Sequence, residues 1–309
     1  WEKATLRNLA NTKGMLIGSF YGGNNTTPQD FNNILEIQKR EFNLGGIYTG
    51  MTFTQPEEGN FQLDIMRGLI KTSISNGLTV LIHPLIWFGS SPNWIRTKSK
   101  SDLSKAIETH IEKLAQEIEN SKIPTKPIIV VVNEASQSND FYFRLLGSEY
   151  VDRAFQVARR NVPSAILLYN DYNNHTTNGE RYRITKETVD RLKSKELIDG
   201  VGIQMQLADG TPPPNKPEVI AAFKSYGMNV YVTEFTVNIR NVLGSQKERF
   251  EKQASIYQSM LEAAIESSVC KGFVNFQLGD KFSVWENDTG LPFYSKSADP
   301  TPYDDDLNP

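Results

Sequence analysis

The feature that most constrains the fold is an alternation of short apolar runs with segments of helical periodicity. Eight runs have the length and the β-branched or aromatic content of strands. These runs are Met15–Phe20, Gly45–Thr49, Leu78–His83, Ile128–Ala135, Ala165–Tyr169, Gly200–Gln204, Asn229–Phe235 and Gly272–Gln277. Each connection is long enough for a crossover between parallel strands. The alternation therefore predicts an α/β fold, a (β/α)8 TIM barrel, with residues 1–309 as a single domain.

Composition excludes several classes of function. A net charge of −3 gives no basic surface for phosphate backbones, so we expect no nucleic-acid partner. No apolar run approaches 18 residues, so we expect no association with a membrane. The three histidines, His83, His110 and His175, do not form a metal-ligand pattern, and no glycine-rich phosphate loop follows a strand. We therefore expect neither a metal nor a cofactor.

Polar side chains concentrate where the apolar runs end. The continuous run Ile128–Val132 is typical of a strand buried on both faces, and it ends in Asn133 and Glu134. Glu234 ends a second run of the same kind. In (β/α)8 barrels the chemistry is placed at the carboxyl ends of the strands. The further polar residues at predicted strand ends are His83, Asn170, Asp171, Gln204, Gln206 and Asp280.

The two glutamates have a structural and a catalytic interpretation. Each could be a structural carboxylate bound by neighbouring amides. Together, one protonated and one ionised carboxyl group could cleave a glycosidic bond as general acid and nucleophile. A separation of roughly 5–5.5 Å gives retention of configuration, and roughly 6.5–9.5 Å gives inversion. The aromatic loop residues Trp87, Trp94, Tyr172 and Trp285 suit either packing or stacking against the apolar faces of sugar rings.

Motifs along nearly the whole chain resemble those of family 10 glycoside hydrolases, the retaining endo-β-1,4-xylanases. The similarity begins with LRNLANTKGMLIGS and includes a third-strand motif, HPLIW followed by PNW. It continues through the later segments VNEA, LGSEY, YNDYN, GVGIQ, VTE and DKFS, in the order of the family.

The resemblance implies an activity and a role for each matching residue. It implies double displacement on a β-1,4-linked polysaccharide, most simply xylan, with Glu134 as acid/base and Glu234 as nucleophile. It places Asn133 at the sugar 2-hydroxyl and Tyr172 on the leaving-group side. Substrate-binding positions by this resemblance are His83, Trp87, Asn133, Tyr172, Gln204, Gln206, Phe276 and Trp285.

Several positions depart from the family pattern. The second strand has Ile47 and Gly50 where the family carries asparagine and lysine. Gln206 replaces a histidine, and we expect it to hydrogen-bond Glu234 without titrating. Phe276 stands in place of a tryptophan, and Phe88 in place of a histidine. These departures leave two alternatives open: a hydrolase for a different β-glycan, and a catalytically lapsed barrel that binds polysaccharide.

The resemblance also sets expectations about context. A polymeric substrate implies an extracellular, secreted protein, and we expect a monomer. The final stretch, DDDLNP, resembles the segment before the last helix of the family, so we expect that helix to lie beyond this chain.

Overall fold

The structure is a computed structural model that describes residues 4–22, 26–135, 139–207, 213–239 and 242–279. Eight strands of four to nine residues lie in these ranges: β1 (Leu16–Phe20), β2 (Leu44–Tyr48), β3 (Thr79–His83), β4 (Ile128–Asn133), β5 (Ile166–Asp171), β6 (Gly200–Ile203), β7 (Asn229–Val237) and β8 (Cys270–Asn275). Two additional strands of two residues, Ile86–Trp87 and Gln206–Leu207, follow β3 and β6.

Helices occupy the connections between the strands. They span Leu6–Thr12, Pro28–Glu41, Met51–Thr54, Asp64–Ser75, Asn93–Arg96, Lys100–Asn120, Phe141–Leu146, Glu149–Asn161, Glu180–Ser194, Lys216–Ser225 and Gln246–Ser267, and Phe88–Ser90 forms a 3-10 turn. Local sequence fixes where the longer ones begin. Pro28–Glu41 and Gln246–Ser267 both start at capping boxes, in which the N-cap hydroxyl and the third-residue carboxylate each accept from a backbone N–H.

The described residues divide into two compact units that interleave along the chain. The first comprises the residues up to Gly45, Tyr172–Tyr182 and those from Ile203 onward. In it, β8 pairs in parallel with both β1 and β7, and Gln206–Leu207 pairs with β7. Its core includes the apolar cluster of Ile34, Ile37, Phe42 and Leu278, with Ile17 packed against it.

The second unit comprises Gly46–Asp171 and Arg183–Gly202. Its strands follow the order β2–β3–β4–β5–β6, and Ile86–Trp87 pairs in parallel with β4. All six residues of β4 are buried, as its continuous apolar run predicts. Helix Lys100–Asn120 buries the predicted face of Leu103, Ile107, Ile111, Leu114 and Ile118, each at most 3% exposed.

The eight parallel strands and the helices between them confirm the predicted (β/α)8 barrel class. The main difference from the sequence expectation is the extent of β5, which continues through Asn170 and Asp171. No helix in the described part of the chain is both long and apolar enough to cross a membrane. The single-domain organisation stays a prediction.

Candidate active site

Glu134 immediately follows the last residue of β4 and has an unusual backbone conformation. Its φ angle is 59°, in the left-handed region that a residue with a Cβ atom rarely adopts. Its backbone N–H donates to Asn170 O at 2.9 Å, which extends the contact between β4 and β5 by one residue. Strained backbone of this kind is concentrated at functional sites. The side chain is half-buried.

The Glu134 carboxylate accepts a hydrogen bond from Trp87. Trp87 Nε1 donates to Glu134 Oε2 at 3.0 Å. The two-residue strand Ile86–Trp87 makes this contact possible, because it pairs with Val132 and Asn133 at the end of β4. The geometry thus brings together two of the residues that the sequence predicted for the site.

Asn133, the residue before Glu134, is held by a second amide. Asn133 Oδ1 accepts from Asn170 Nδ2 at 2.8 Å, and both side chains are buried. Asn170 in turn lies against the backbone of Gly202, where a Cβ atom would collide with Asn170 Oδ1. Glycine at position 202 therefore leaves the space that the Asn170 amide needs to reach Asn133.

Glu234 lies within β7 and is buried, with 4% of its surface exposed. Gln206 Nε2 donates to Glu234 Oε2 at 2.8 Å, the hydrogen bond expected from the resemblance. The two-residue strand Gln206–Leu207 positions this donor by pairing with Thr236 and Val237 of β7. Met205, just before it, has a φ of 57°, so the chain bends sharply between β6 and this short strand.

The two glutamates share one local arrangement that the sequence does not reveal. In each case, a two-residue strand follows the preceding long strand and pairs with the next long strand, which contains the glutamate or ends directly before it. In each case, this short strand supplies one neutral N–H donor to the carboxylate. Two residues carry no hydrophobic periodicity, so the sequence predicts only loops there.

The other predicted binding residues differ from one another in burial and in contacts. His83 ends β3 and is buried, and its carbonyl accepts from Thr49 N at 2.8 Å. Gln204 directly follows β6 and is buried as well. Tyr172 is half-buried, and the guanidinium of Arg181 lies 4.4 Å from its ring centroid. One face of the Tyr172 ring is therefore occupied by Arg181.

Phe276 follows β8 and is half-buried. Its ring meets that of Phe20 edge to face at a centroid distance of 5.7 Å, and its N–H donates to Phe235 O at 3.1 Å. Trp285 and Asp280 lie outside the described residues. Within the described ranges, no group of three or more histidine, cysteine or acidic side chains could hold a metal ion.

The end of β2 departs from the family pattern at Gly50, and neighbouring hydroxyl groups fill the space beside it. A Cβ atom at this position would collide with Ser90 Oγ and meet Tyr48 OH at 2.5 Å. Ser90 Oγ also lies 2.7 Å from Thr52 Oγ1. A side chain at position 50 would therefore require Ser90 and Tyr48 to move, and the groups that face this position are neutral hydroxyl groups.

One buried carboxyl group, that of Asp140, was not identified from the sequence. Asp140 is fully buried and is the N-cap of helix Phe141–Leu146. Burial raises the pKa of Asp140 to about 6, against the lowering effect of a hydrogen bond from Tyr150 and of two backbone N–H groups. The only sequence signal is the position of an aspartate directly before an aromatic helix start, which indicates a cap rather than a functional residue.

Known proteins of one enzyme family are similar to this chain in both sequence and structure. The model of Glycosyl hydrolase family 10 matches residues 5–309. The chain is 26% identical over 293 residues to the endo-1,4-beta-xylanase B of Thermotoga neapolitana, which covers 91% of this chain and 83% of that protein. It superposes on the crystal structure of xylanase 10B from Thermotoga petrophila RKU-1 in complex with xylobiose, with a TM-score of 0.88 and 25% identity. That match covers 100% of this chain and 94% of the other.

A third relative shows how lengths differ among the matching proteins. The endo-1,4-beta-xylanase B of Neocallimastix patriciarum is 32% identical over 224 residues, which is 68% of this chain but only 25% of that protein. The family match spans the described barrel and both strand-end glutamates. The chain therefore belongs to glycosyl hydrolase family 10 and is a glycoside hydrolase similar to the endo-1,4-β-xylanases.

Proposed function

We propose that this protein is a retaining endo-β-1,4-xylanase in which Glu134 is the general acid/base and Glu234 is the nucleophile. The observation that carries this assignment is the matching environment of the two glutamates. Glu134 directly follows β4 and Glu234 lies within β7, and each accepts a hydrogen bond from a short strand that pairs with that long strand. The left-handed backbone of Glu134 agrees with this assignment, because such conformations cluster at functional sites.

The reaction proceeds in two steps. The Glu234 carboxylate attacks the anomeric carbon while the Glu134 carboxylic acid protonates the glycosidic oxygen, and the shortened chain leaves as an alcohol. A water molecule then loses its proton to the Glu134 carboxylate and attacks the same carbon, which releases Glu234. This sequence requires a separation of about 5–5.5 Å between the two carboxyl groups.

The relatives support xylan as the substrate. The relatives from Thermotoga neapolitana and Neocallimastix patriciarum are named endo-1,4-beta-xylanases, and the Thermotoga petrophila structure is a complex with xylobiose. We infer that the partner is a β-1,4-linked polysaccharide or oligosaccharide, bound through His83, Trp87, Asn133, Gln204 and the half-buried Phe276. An insoluble polymer cannot enter a cell, so we also propose that the enzyme works extracellularly.

The surroundings of Gly50 favour a second candidate, a β-1,4-glycanase that prefers a glycan other than xylan. A cation donates stronger hydrogen bonds to sugar hydroxyls than neutral groups do, by roughly 1 kcal/mol per bond. With the hydroxyl groups of Ser90, Thr52 and Tyr48 beside Gly50, we therefore expect a different preference for the sugar that binds there. Initial rates on xylan, cellulose oligomers and mixed-linkage glucan separate the two candidates.

Two isosteric substitutions test the catalytic assignment. We expect Glu234→Gln to abolish turnover of xylan, because an amide oxygen cannot form the glycosyl ester. We expect Glu134→Gln to lower kcat by about 10²–10⁴-fold, because no proton reaches the leaving oxygen. Glu119→Gln, at an exposed position in helix Lys100–Asn120, is the matched control and should retain wild-type rates.

Circular dichroism and binding of xylo-oligosaccharides should show that both variants remain folded. Wild-type turnover by either folded variant would refute the assignment. A wild-type protein that binds xylan but releases no reducing sugar would instead identify a lapsed barrel.

A further inference from the structure

A chain of hydrogen bonds reaches the backbone of Trp87, the residue whose indole N–H donates to Glu134. Ser91 Oγ donates to the Trp87 carbonyl at 3.0 Å, and the same hydroxyl lies 2.6 Å from Tyr142 OH. Tyr142 is fully buried, and Ser91 is 5% exposed. Both are therefore shielded from competing water, and these contacts are stronger than they would be at the surface.

The direction of this chain follows from counting protons. The Ser91 hydroxyl has one proton, and its bond to the Trp87 carbonyl uses it, because a carbonyl can only accept. At the contact between Ser91 and Tyr142, the proton must therefore come from Tyr142. Burial raises the pKa of the Tyr142 hydroxyl above its ordinary range, so this donor keeps its proton across the working range of pH. The chain runs from Tyr142 through Ser91 to Trp87.

Neighbouring groups fix both ends of the segment that carries Ser91. Arg96 Nε donates to the Ser91 carbonyl and Arg96 Nη2 to the Phe88 carbonyl, each at 2.9 Å. The backbone N–H of Tyr142 donates to Asp140 Oδ1 at 2.8 Å, as part of the N-cap of its helix. The Tyr142 hydroxyl is thus presented to Ser91 from a helix whose start is fixed by a buried cap.

We propose that Tyr142 and Ser91 are positioning residues, which hold the Trp87 indole where its N–H orients and stabilises the Glu134 carboxylate. Neither residue touches the reacting atoms. Their effect passes through the Trp87 backbone to the 3.0 Å bond between Trp87 Nε1 and Glu134 Oε2. This inference rests on the proposed function, namely on Glu134 as the acid/base.

Loss of this positioning should slow mainly the cleavage of glycosidic bonds whose leaving group must be protonated. When Glu134 is misplaced, cleavage of a glycosidic bond with a poor leaving group slows, because the departing oxygen must be protonated. Formation of the glycosyl-enzyme from an aryl glycoside with a good leaving group needs no proton and should hardly change. A general loss of packing would lower kcat/KM for both kinds of substrate alike.

The test compares xylohexaose with 2,4-dinitrophenyl β-xylobioside. For Tyr142→Phe we expect kcat/KM to fall about fivefold on xylohexaose, the effect of losing one buried hydrogen bond, and less than twofold on the aryl glycoside. Across a series of aryl xylobiosides, the dependence of log kcat/KM on leaving-group pKa should become steeper. Ser91→Ala should behave in the same way, and the double variant should be no worse than either single variant, because the two act in one chain.

Tyr226→Phe is the matched control. Its hydroxyl is also buried and hydrogen-bonded, but it donates to Asn174 O at 2.8 Å, which is none of the hydrogen bonds that lead to Trp87. We expect it to lower stability while the ratio of kcat/KM values for the two substrates stays at the wild-type value. Equal losses on both substrates for Tyr142→Phe and Ser91→Ala, or no loss, would overturn the positioning role.

The variant Glu134→Ala shows whether a negative result contradicts only the positioning role of Tyr142 and Ser91 or also the proposed function. If Glu134 is the acid/base, this variant loses xylohexaose cleavage and keeps kcat/KM on the dinitrophenyl substrate. If it cleaves xylohexaose normally, the proposed function fails and the positioning role fails with it. If Glu134→Ala behaves as expected while Tyr142→Phe and Ser91→Ala do not discriminate between the substrates, only the positioning role is wrong.

Discussion

At the scale of single residues, the two strand-end glutamates receive hydrogen bonds from neutral donors. The indole N–H of Trp87 and the amide of Gln206 keep their protons throughout the range in which carboxyl groups titrate. Neither bond is therefore lost through deprotonation of its donor. Gln206, where the family carries a histidine, thus preserves the contact to Glu234 and removes a titrating neighbour from it.

A single added methyl group at Gly202 should disturb the Asn133 side of the site. In Gly202→Ala, the new Cβ collides with Asn170 Oδ1 and displaces the amide that holds Asn133. We expect a loss of about 1–3 kcal/mol in the free energy of unfolding, as is usual for overpacking, together with a lower kcat/KM on xylo-oligosaccharides. Urea unfolding and initial rates measure the two effects.

Gly68→Ala is the matched control for this substitution. Gly68 lies in helix Asp64–Ser75, and a Cβ atom there meets nothing within 4 Å. Alanine is the better helix former, so this variant should gain about 0.5–1 kcal/mol and keep its activity. A stable and fully active Gly202→Ala protein would show that the Asn170 amide does not need this space.

At the scale of elements, the sequence predicts the long strands well and the short ones not at all. β4 is predictable because five of its six buried residues form an unbroken apolar run, and helix Lys100–Asn120 because its buried face repeats every three to four residues. The strands Ile86–Trp87 and Gln206–Leu207 are too short for either pattern. Their pairing with β4 and β7 is decided by tertiary contacts.

The same reasoning explains which site residues could be found from sequence. Glu134 and Glu234 stand out because a charged residue ends an apolar run and the surrounding motifs match a family. Ser91 and Tyr142 carry no such signal, since a serine in a loop and an aromatic residue in a helix are ordinary. Their connection to Trp87 becomes visible only when hydrogen-bond distances are known.

At the scale of the whole molecule, buried histidines link folding to pH. His110 is fully buried in helix Lys100–Asn120, with Nδ1 2.9 Å from Gln55 Oε1 and its ring stacked on Phe61. Burial lowers the pKa of His110 to about 3, and the loss of solvent around the half-buried His175 lowers its pKa to about 4. The unfolded chain binds these protons near pH 6.5, so each histidine stabilises the fold above that pH and loses this contribution as the pH falls towards its folded value.

We expect the unfolding free energy of His110→Gln to depend less on pH than that of the wild type. Between pH 6 and pH 4, the difference in slope should approach about 1.4 kcal/mol per pH unit, the value for one proton. Urea unfolding at a series of pH values measures it, and the comparison of slopes cancels the other titrating groups. Identical slopes would mean that His110 is protonated in the folded protein.

The most direct test of the catalytic account is to trap its covalent intermediate. The protein is incubated with a 2-deoxy-2-fluoro β-xylobioside that carries a good leaving group, digested, and analysed by peptide mass spectrometry. A retaining mechanism predicts one fluoroxylobiosyl group esterified to Glu234. A label on any other residue, or hydrolysis that releases the α-anomer of the product without a covalent species, would contradict the account.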